Sequence, residues 1–244
     1  MESFNRIIQA FWTGPFTTME RLCAVSFMKN GHEFHLYAYE PLSGVPEGVV
    51  MKDANEIMPF EKVSQFQHAQ HIADYFRVLL LFKRGGWYVD CDQICLMPFN
   101  FKSEYVFVKS TKPQILETSP IKVPAGSPLM QRYFEEISQM RPEELGKMGF
   151  QAIGPELFGR LVPELKLSQY ALSRVTFDPV RWNNASKIVD PSVRFNICAS
   201  YAVHLFHAAW SRGPQSSDHL ESPDTDGKYP EGCLYEILKK RYGV

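Results

Sequence analysis

The sequence predicts an α/β fold, and three features carry that expectation. Arg6–Trp12 and Glu33–Tyr39 are runs of strand-forming residues with a capped helical segment between them. A second unit follows, with a helix over residues 65–84, a Gly85-Gly86 stop and the apolar run Trp87-Tyr88-Val89. Strands that alternate with helices in this way form βαβ units and a parallel sheet.

The elements follow in order. Arg6–Trp12 is apolar enough for a buried strand, and Thr13-Gly14-Pro15 ends it. Thr17 or Thr18 can cap a helix running to about Asn30, with Gly31 as its stop. Glu33–Tyr39 alternates and is rich in aromatic residues, so it reads as the second strand. Residues 41–64 read as loop and short helix. In the 65–84 helix, Val78-Leu79-Leu80-Leu81-Phe82 is apolar on every side, which implies burial. Glu104–Val108 reads as a strand and Ser127–Met140 as a capped helix. Ile153-Gly154-Pro155 opens a helix through Leu161, and Tyr201–Phe206 is a late strand. Residues 211–232, rich in Ser, Asp, Pro and Gly, read as a mobile loop, and 233–242 as a final helix.

Composition narrows the function. A chain of 244 residues is long enough for one core, and 1–244 reads as one catalytic domain. Lys+Arg of 26 against Asp+Glu of 27 leaves a net charge of -1, so a strongly basic nucleic-acid binder is excluded and no nucleic-acid partner is expected. The five cysteines form no paired CxxC motif, which argues against structural zinc and for free thiols in a reducing compartment. With no basic leader before an apolar stretch, and no apolar run of about 18 residues, the expected location is cytoplasmic.

Three groups of residues could carry chemistry. Asp90 and Asp92 follow a strand, and on extended backbone residues two apart point the same way. Two convergent carboxylates raise each other's pKa unless a cation lies between them, and Mg²⁺ or Mn²⁺ fits such a pair beside phosphate. Gln67, His71, Asp74 and Arg77 form a polar stripe on an otherwise buried helix, with Asp74 and Arg77 able to pair at i, i+3. The plainer reading of that pair is structural. His204, at the end of the late strand, could be a third metal ligand or a satisfied core histidine. Trp12 could stack on a base or belong to the core. Asp224-Thr225-Asp226-Gly227 hints at a calcium loop but lacks the later ligands, so it reads as solvated.

The stretch from Ala73-Asp74-Tyr75-Phe76-Arg77 to Gly85-Gly86-Trp87-Tyr88-Val89-Asp90-Cys91-Asp92 resembles the DXD-motif region of glycosyltransferase family 32, which is related to the large glucosylating toxins. Gln9–Gly14 is similar to that family's first strand. Gly154-Pro155-Glu156-Leu157 is similar to its G-P helix start, and Ala202–Phe206 with Trp210 to its late A-x-H-x-W segment, with Phe206 where the family has Trp. The resemblance spans about residues 5–210 and leaves 211–244 without a counterpart. It implies a GT-A fold with a mixed central sheet flanked by helices. It further implies that Trp12 stacks on a base and that Asp74 holds sugar and ribose hydroxyls. Arg77 would contact sugar or phosphate, Asp90 and Asp92 would bind ribose and metal, His204 would be a late metal ligand and Trp210 a diphosphate contact.

The activity implied is that of a retaining hexosyltransferase using Mn²⁺ or Mg²⁺. Uridine diphosphate sugars are favoured as donors over guanosine diphosphate sugars. The implied acceptor is a glycan or lipid-linked glycan, in surface polysaccharide biosynthesis. Where 211–232 closes over the site it would exclude water. Two other classes compete. A phosphatase with a D-x-D nucleophile would want Thr or Val and a downstream Asp pair, but Gln93-Ile94 follows here. A non-catalytic nucleotide-sugar-binding module would not need the full set of Asp74, Arg77, Asp90, Asp92 and His204. The basic end Lys239-Lys240-Arg241 could touch the inner face of a membrane, worth at most ~3 kcal/mol, although a solvated helix end is the plainer reading.

Overall fold

The computed structural model describes residues 3–66, 69–141, 144, 147–149, 151–211 and 224–244. Nine strands are described. A mixed sheet of seven is built from β1 (Ile7–Phe11), β2 (Glu33–Ala38), β3 (Val50–Asp53), β4 (Gly86–Tyr88), β6 (Val106–Lys109), β7 (Leu116–Val123) and β8 (Ala171–Leu172). Their spatial order is β3-β2-β1-β4-β7-β6-β8. The first four run parallel, while β7 lies antiparallel to β4 and β6. A separate antiparallel ribbon pairs β5 (Gln93–Cys95) with β9 (Ala202–His204).

Alternation along the strands divides the core into two layers. After a one-turn α1 (Ser3–Arg6), Ile8, Ala10, Trp87 and Val89 face one layer with α2 (Thr18–Lys29) and the last helix, Leu234–Tyr242. Phe11, Tyr37, Tyr88 and Ile121 face the other, with α3 (Ala69–Arg84), α4 (Pro128–Gln139) and α5 (Leu157–Glu164). Two caps agree with the sequence. Thr17 and Glu20 form a capping box at the start of α2, and Ser127 Oγ accepts from Met130 N at the start of α4.

β3, β5, β7 and β8 lie where the sequence predicts no strand. β3 falls within the stretch 41–64 read as loop and short helix. β7, the longest strand, contains the polar run Glu117-Thr118-Ser119 and then Pro120 after a cis peptide bond. A proline inside a strand pattern argues against a central strand, and here the neighbouring strands supply what local propensity does not. Of the segment 211–232, residues 212–223 lie outside the described residues. Beyond them, Asp226 is exposed in a turn, and its Oδ1 accepts from Thr18 N and Thr18 Oγ1, both at 2.7 Å, which tethers that turn to the start of α2.

The basic end of the chain is mostly committed to the fold. Lys239 Nζ is 2.6 Å from Glu236 and donates to the Gly227 carbonyl, and Arg241 donates to the Leu96 carbonyl. Lys240 and Arg241 both remain exposed, and Lys240 Nζ lies 3.6 Å from Glu231. Among the described residues no helix is long and apolar enough to cross a membrane.

The turn from α3 into β4 places the aspartates, and it depends on Gly85. Its φ of +63° is left-handed, and a Cβ there would lie 2.2 Å from Ala125 N. Gly85→Ala should therefore lower unfolding free energy by about 3 kcal/mol, read as a fall in the urea midpoint with an unchanged slope.

Candidate functional site

The site lies beyond the carboxyl ends of the parallel strands, where ligands of open α/β sheets bind. After β4 the chain leaves extended conformation. Gln93 N donates back to the Asp90 carbonyl at 3.1 Å, closing a turn over residues 90–93. Asp90 and Asp92 thus converge through a turn, where the sequence reading had used strand alternation. Asp90 N donates to Ser119 Oγ at 2.8 Å, which ties the start of the turn to β7.

Arg77 is the cation beneath Asp90. Its Nη1 lies 2.9 Å from Asp74 Oδ1 and its Nη2 lies 2.8 Å from Asp90 Oδ1, with the guanidinium over the Tyr88 ring at 4.9 Å. Arg77 and Asp74 are 3% and 1% exposed. Each terminal nitrogen of Arg77 thus holds one aspartate, while its Nε is buried without a hydrogen-bond partner. Burial pushes the Asp74 carboxyl up to about 6 in spite of Arg77, and it pushes Asp90 upward as well.

Asp74 is covered by a second element. A wide turn over Ala152–Glu156 precedes α5, and a Cβ on Gly154 would fall 2.8 Å from Asp74 Oδ2. Tyr133 of α4 holds this turn by donating to the Ile153 and Gly154 carbonyls at 2.6 and 3.0 Å. Asp74 Oδ2 is buried without a hydrogen-bond partner. The Gly-Pro pair found in the sequence is thus the backbone that the Asp74 carboxylate packs against.

The late segment meets Asp92. In the β5–β9 ribbon Gln93 pairs with His204. Leu205 N donates to the Asp92 carbonyl at 3.0 Å, and His204 Nε2 lies 3.1 Å from Asp92 Oδ2. Phe206 then turns the chain with a φ of +59°, left-handed and rare for an aromatic residue. The turn aims His207 N at Asp92 Oδ2, 2.7 Å away, and stacks the Phe206 ring on His204 at 4.1 Å. The His207 ring packs edge-on against Trp12 at 5.3 Å and faces the buried Glu20 at 3.8 Å. Trp12, half-buried at the end of β1, lines a cavity of about 330 Å³ with Tyr39, Glu40 and Phe60 among others.

Ligand atoms of Asp90, Asp92 and His204 all lie within 4.8 Å of one another. Asp92 Oδ1 is buried and has no hydrogen-bond partner. Two carboxylates and an imidazole with an unused oxygen between them fit a hard divalent cation. The structure brings together Asp74, Arg77, Asp90, Asp92 and His204, with Trp12 joined to them through His207. Trp210 belongs to the short helix His207–Ser211, and its side chain lies outside the described ones; Gln67 also lies outside the described residues. Ser119, Tyr133, Glu20 and Asp178 are residues that sequence reasoning missed. None sits in a motif, and only Glu20, through the capping-box spacing from Thr17, left a signal.

Residues 18–113 match the family model described as "Glycosyltransferase sugar-binding region containing DXD motif". The matched stretch contains Asp74, Arg77, Asp90 and Asp92. Over those residues the chain is similar to a DXD-type glycosyltransferase region, and its mixed sheet is GT-A-like. A solved glycosyltransferase structure, PaToxG, is similar over 67% of this chain and 70% of its own, with a TM-score of 0.51 and 16% sequence identity. At that identity the likeness establishes the architecture. No curated protein matches the chain significantly. Trp12, Asp178 and His204 lie outside the matched stretch of this glycosyltransferase region, so their assignment rests on geometry.

The pair Asp92–His204 is an ion pair without a cation present. Burial opposes both charges, but each group stabilises the other, holding His204 up at about 10 and Asp92 down at about 2. The His204 contribution to stability is complete below about 6.5 and lost as pH rises through about 10, whereas that of Asp92 is complete above about 3.8 and lost as pH falls toward about 2. In metal-free buffer the urea midpoint should fall between pH 7 and pH 10. His204→Ala should lose most of that slope.

Proposed function

We propose that residues 1–244 act as one metal-dependent retaining glycosyltransferase domain. It moves a sugar from a nucleotide diphosphate sugar, with uridine diphosphate favoured over guanosine diphosphate, to a glycan or lipid-linked glycan in surface polysaccharide assembly. The observation that carries this reading is the joining of two features at one edge of the sheet. The Asp90–Asp92–His204 cluster and the Trp12 cavity are connected through His207, whose backbone bonds Asp92 and whose ring meets Trp12.

In this reading the base of the donor lies on Trp12, in the cavity that Tyr39 and Phe60 also line. Asp90, Asp92 and His204 hold Mn²⁺ or Mg²⁺, which when bound supplies Lewis acidity to the leaving diphosphate. Arg77 keeps Asp90 ionised and aimed by its hydrogen bond from below. The His207 amide fixes one oxygen of Asp92 and leaves the other for the cation. Asp74 orders Arg77 and, through its second oxygen, the floor on which the sugar lies. Trp210 is assigned to the diphosphate.

Retention is the stereochemical reading. Asp74, Asp178 and Glu20, carboxylates beside the cluster, are all buried, which favours attack by the acceptor hydroxyl on the face the diphosphate leaves. In that step the hydroxyl oxygen bonds to the anomeric carbon, the carbon–oxygen bond to the diphosphate breaks with its electrons on the phosphate oxygen, and that oxygen takes the acceptor's proton. NMR of the product linkage should show the donor's anomeric configuration. An inverted linkage would refute the step.

Donor binding tests the assignment of residues. In calorimetric titrations with uridine diphosphate and Mn²⁺, Trp12→Ala should weaken binding by about 1–3 kcal/mol while leaving metal binding intact. Asp92→Ala should abolish Mn²⁺-dependent donor binding and transfer while the protein stays folded. A fully active Asp92→Ala protein in excess chelator would sink the metal assignment.

A further inference from the structure

One imidazole of the proposed cation site has a nitrogen that the site does not use. His204 Nε2 faces Asp92, but Nδ1 is buried and has no hydrogen-bond partner. An imidazole that gives the lone pair of Nε2 to a cation carries its hydrogen on Nδ1. Phe206 covers the face of the ring, so the in-plane direction of Nδ1 is where an acceptor must stand.

Asp178 is the matching orphan. It is 3% exposed, and its Oδ1 is buried with no hydrogen-bond partner. Burial raises its pKa, and the charge that most opposes this is that of His204. The backbone brings the two segments together. The turn Arg174–Thr176 is pinned to the β5–β9 ribbon by Tyr201 N to the Thr176 carbonyl at 2.7 Å and by Ser200 Oγ to the Val175 carbonyl at 2.7 Å. Gln93, paired with His204 across the ribbon, donates through Nε2 to the Phe177 carbonyl at 2.9 Å. Arg174 closes the turn by donating to the carbonyl of Asp178 itself.

We propose that Asp178 is a positioning residue whose carboxylate accepts the Nδ1–H of His204, directly or through one water, and so aims Nε2 at the cation. A histidine ligand held from behind by a carboxylate is fixed in tautomer and orientation and is a stronger donor to metal. The proposal rests on the reading of Asp90, Asp92 and His204 as the metal site, and its test separates the two.

The test is long-range ¹⁵N–¹H NMR of histidine-labelled protein at pH 7, metal-free and with Mg²⁺, together with Mn²⁺ affinity from water-proton relaxation. Wild-type His204 should carry a slowly exchanging hydrogen on Nδ1. In Asp178→Asn that resonance should move, and Mn²⁺ affinity should fall about 10- to 100-fold, with part of the loss restored in Asp178→Glu. An Asp178→Asn protein with an unchanged His204 spectrum and unchanged Mn²⁺ affinity overturns the proposal. If Asp178→Asn does not fold, the wild-type spectrum decides, because an Nδ1 without a hydrogen, or one exchanging freely with water, overturns it equally. Wild-type protein that binds no Mn²⁺ overturns the metal site itself, and the change in the His204 Nδ1 resonance between wild type and Asp178→Asn still decides for Asp178.

Discussion

Burial of the Arg77 guanidinium between Asp74 and Asp90 is the constraint from which the site is built. An unpaired charge so far from water would be severely unfavourable, so the fold must present both carboxylates to it. Asp74 comes from one turn lower on α3, and Asp90 from the far end of β4. The Gly85-Gly86 turn that joins those elements therefore has little freedom. The Tyr88 ring under the guanidinium closes the remaining side. Such a pair is weak evidence for stability but strong evidence for a specified geometry at one point of the sheet.

A second charged pair, Asp92 with His204, closes the site from the other side. It joins a turn after β4 to a strand more than a hundred residues later, through a ribbon that is separate from the main sheet. The two pairs differ in consequence. Arg77 cannot lose its proton, so its grip on Asp90 is permanent over the working pH range. His204 can, and a divalent cation that took its Nε2 would displace that proton and add a net positive charge beside Asp92.

Much of this was legible before the tertiary structure. The β-α-β opening, the capped helices at Thr17 and Ser127, the Gly85-Gly86 stop and the final helix follow from short-range rules that the sequence states openly. β3 and β7 were not legible, since the first is short and half exposed and the second carries a proline. Both are made strands by neighbours that no local pattern reveals. The acidic pair was found for a reason that the structure replaces: the convergence comes from a hydrogen-bonded turn where strand alternation had been assumed. Tyr133, Ser119 and Asp178 carried no signal, because a single polar residue in a variable context looks the same whether it is solvated or buried against a functional group.

The sequence by itself determined the fold class, the α3–Gly-Gly–β4 unit and the residue types able to bind a cation, because these depend on periodicity, turn chemistry and spacing along a continuous stretch. The tertiary structure alone decided that Arg77 bridges two aspartates, that Gly154 lies on Asp74, and that His204 meets Asp92. Those are contacts between distant segments, and their energy depends on burial and on which polar atoms are left without partners, neither of which exists until the chain has folded.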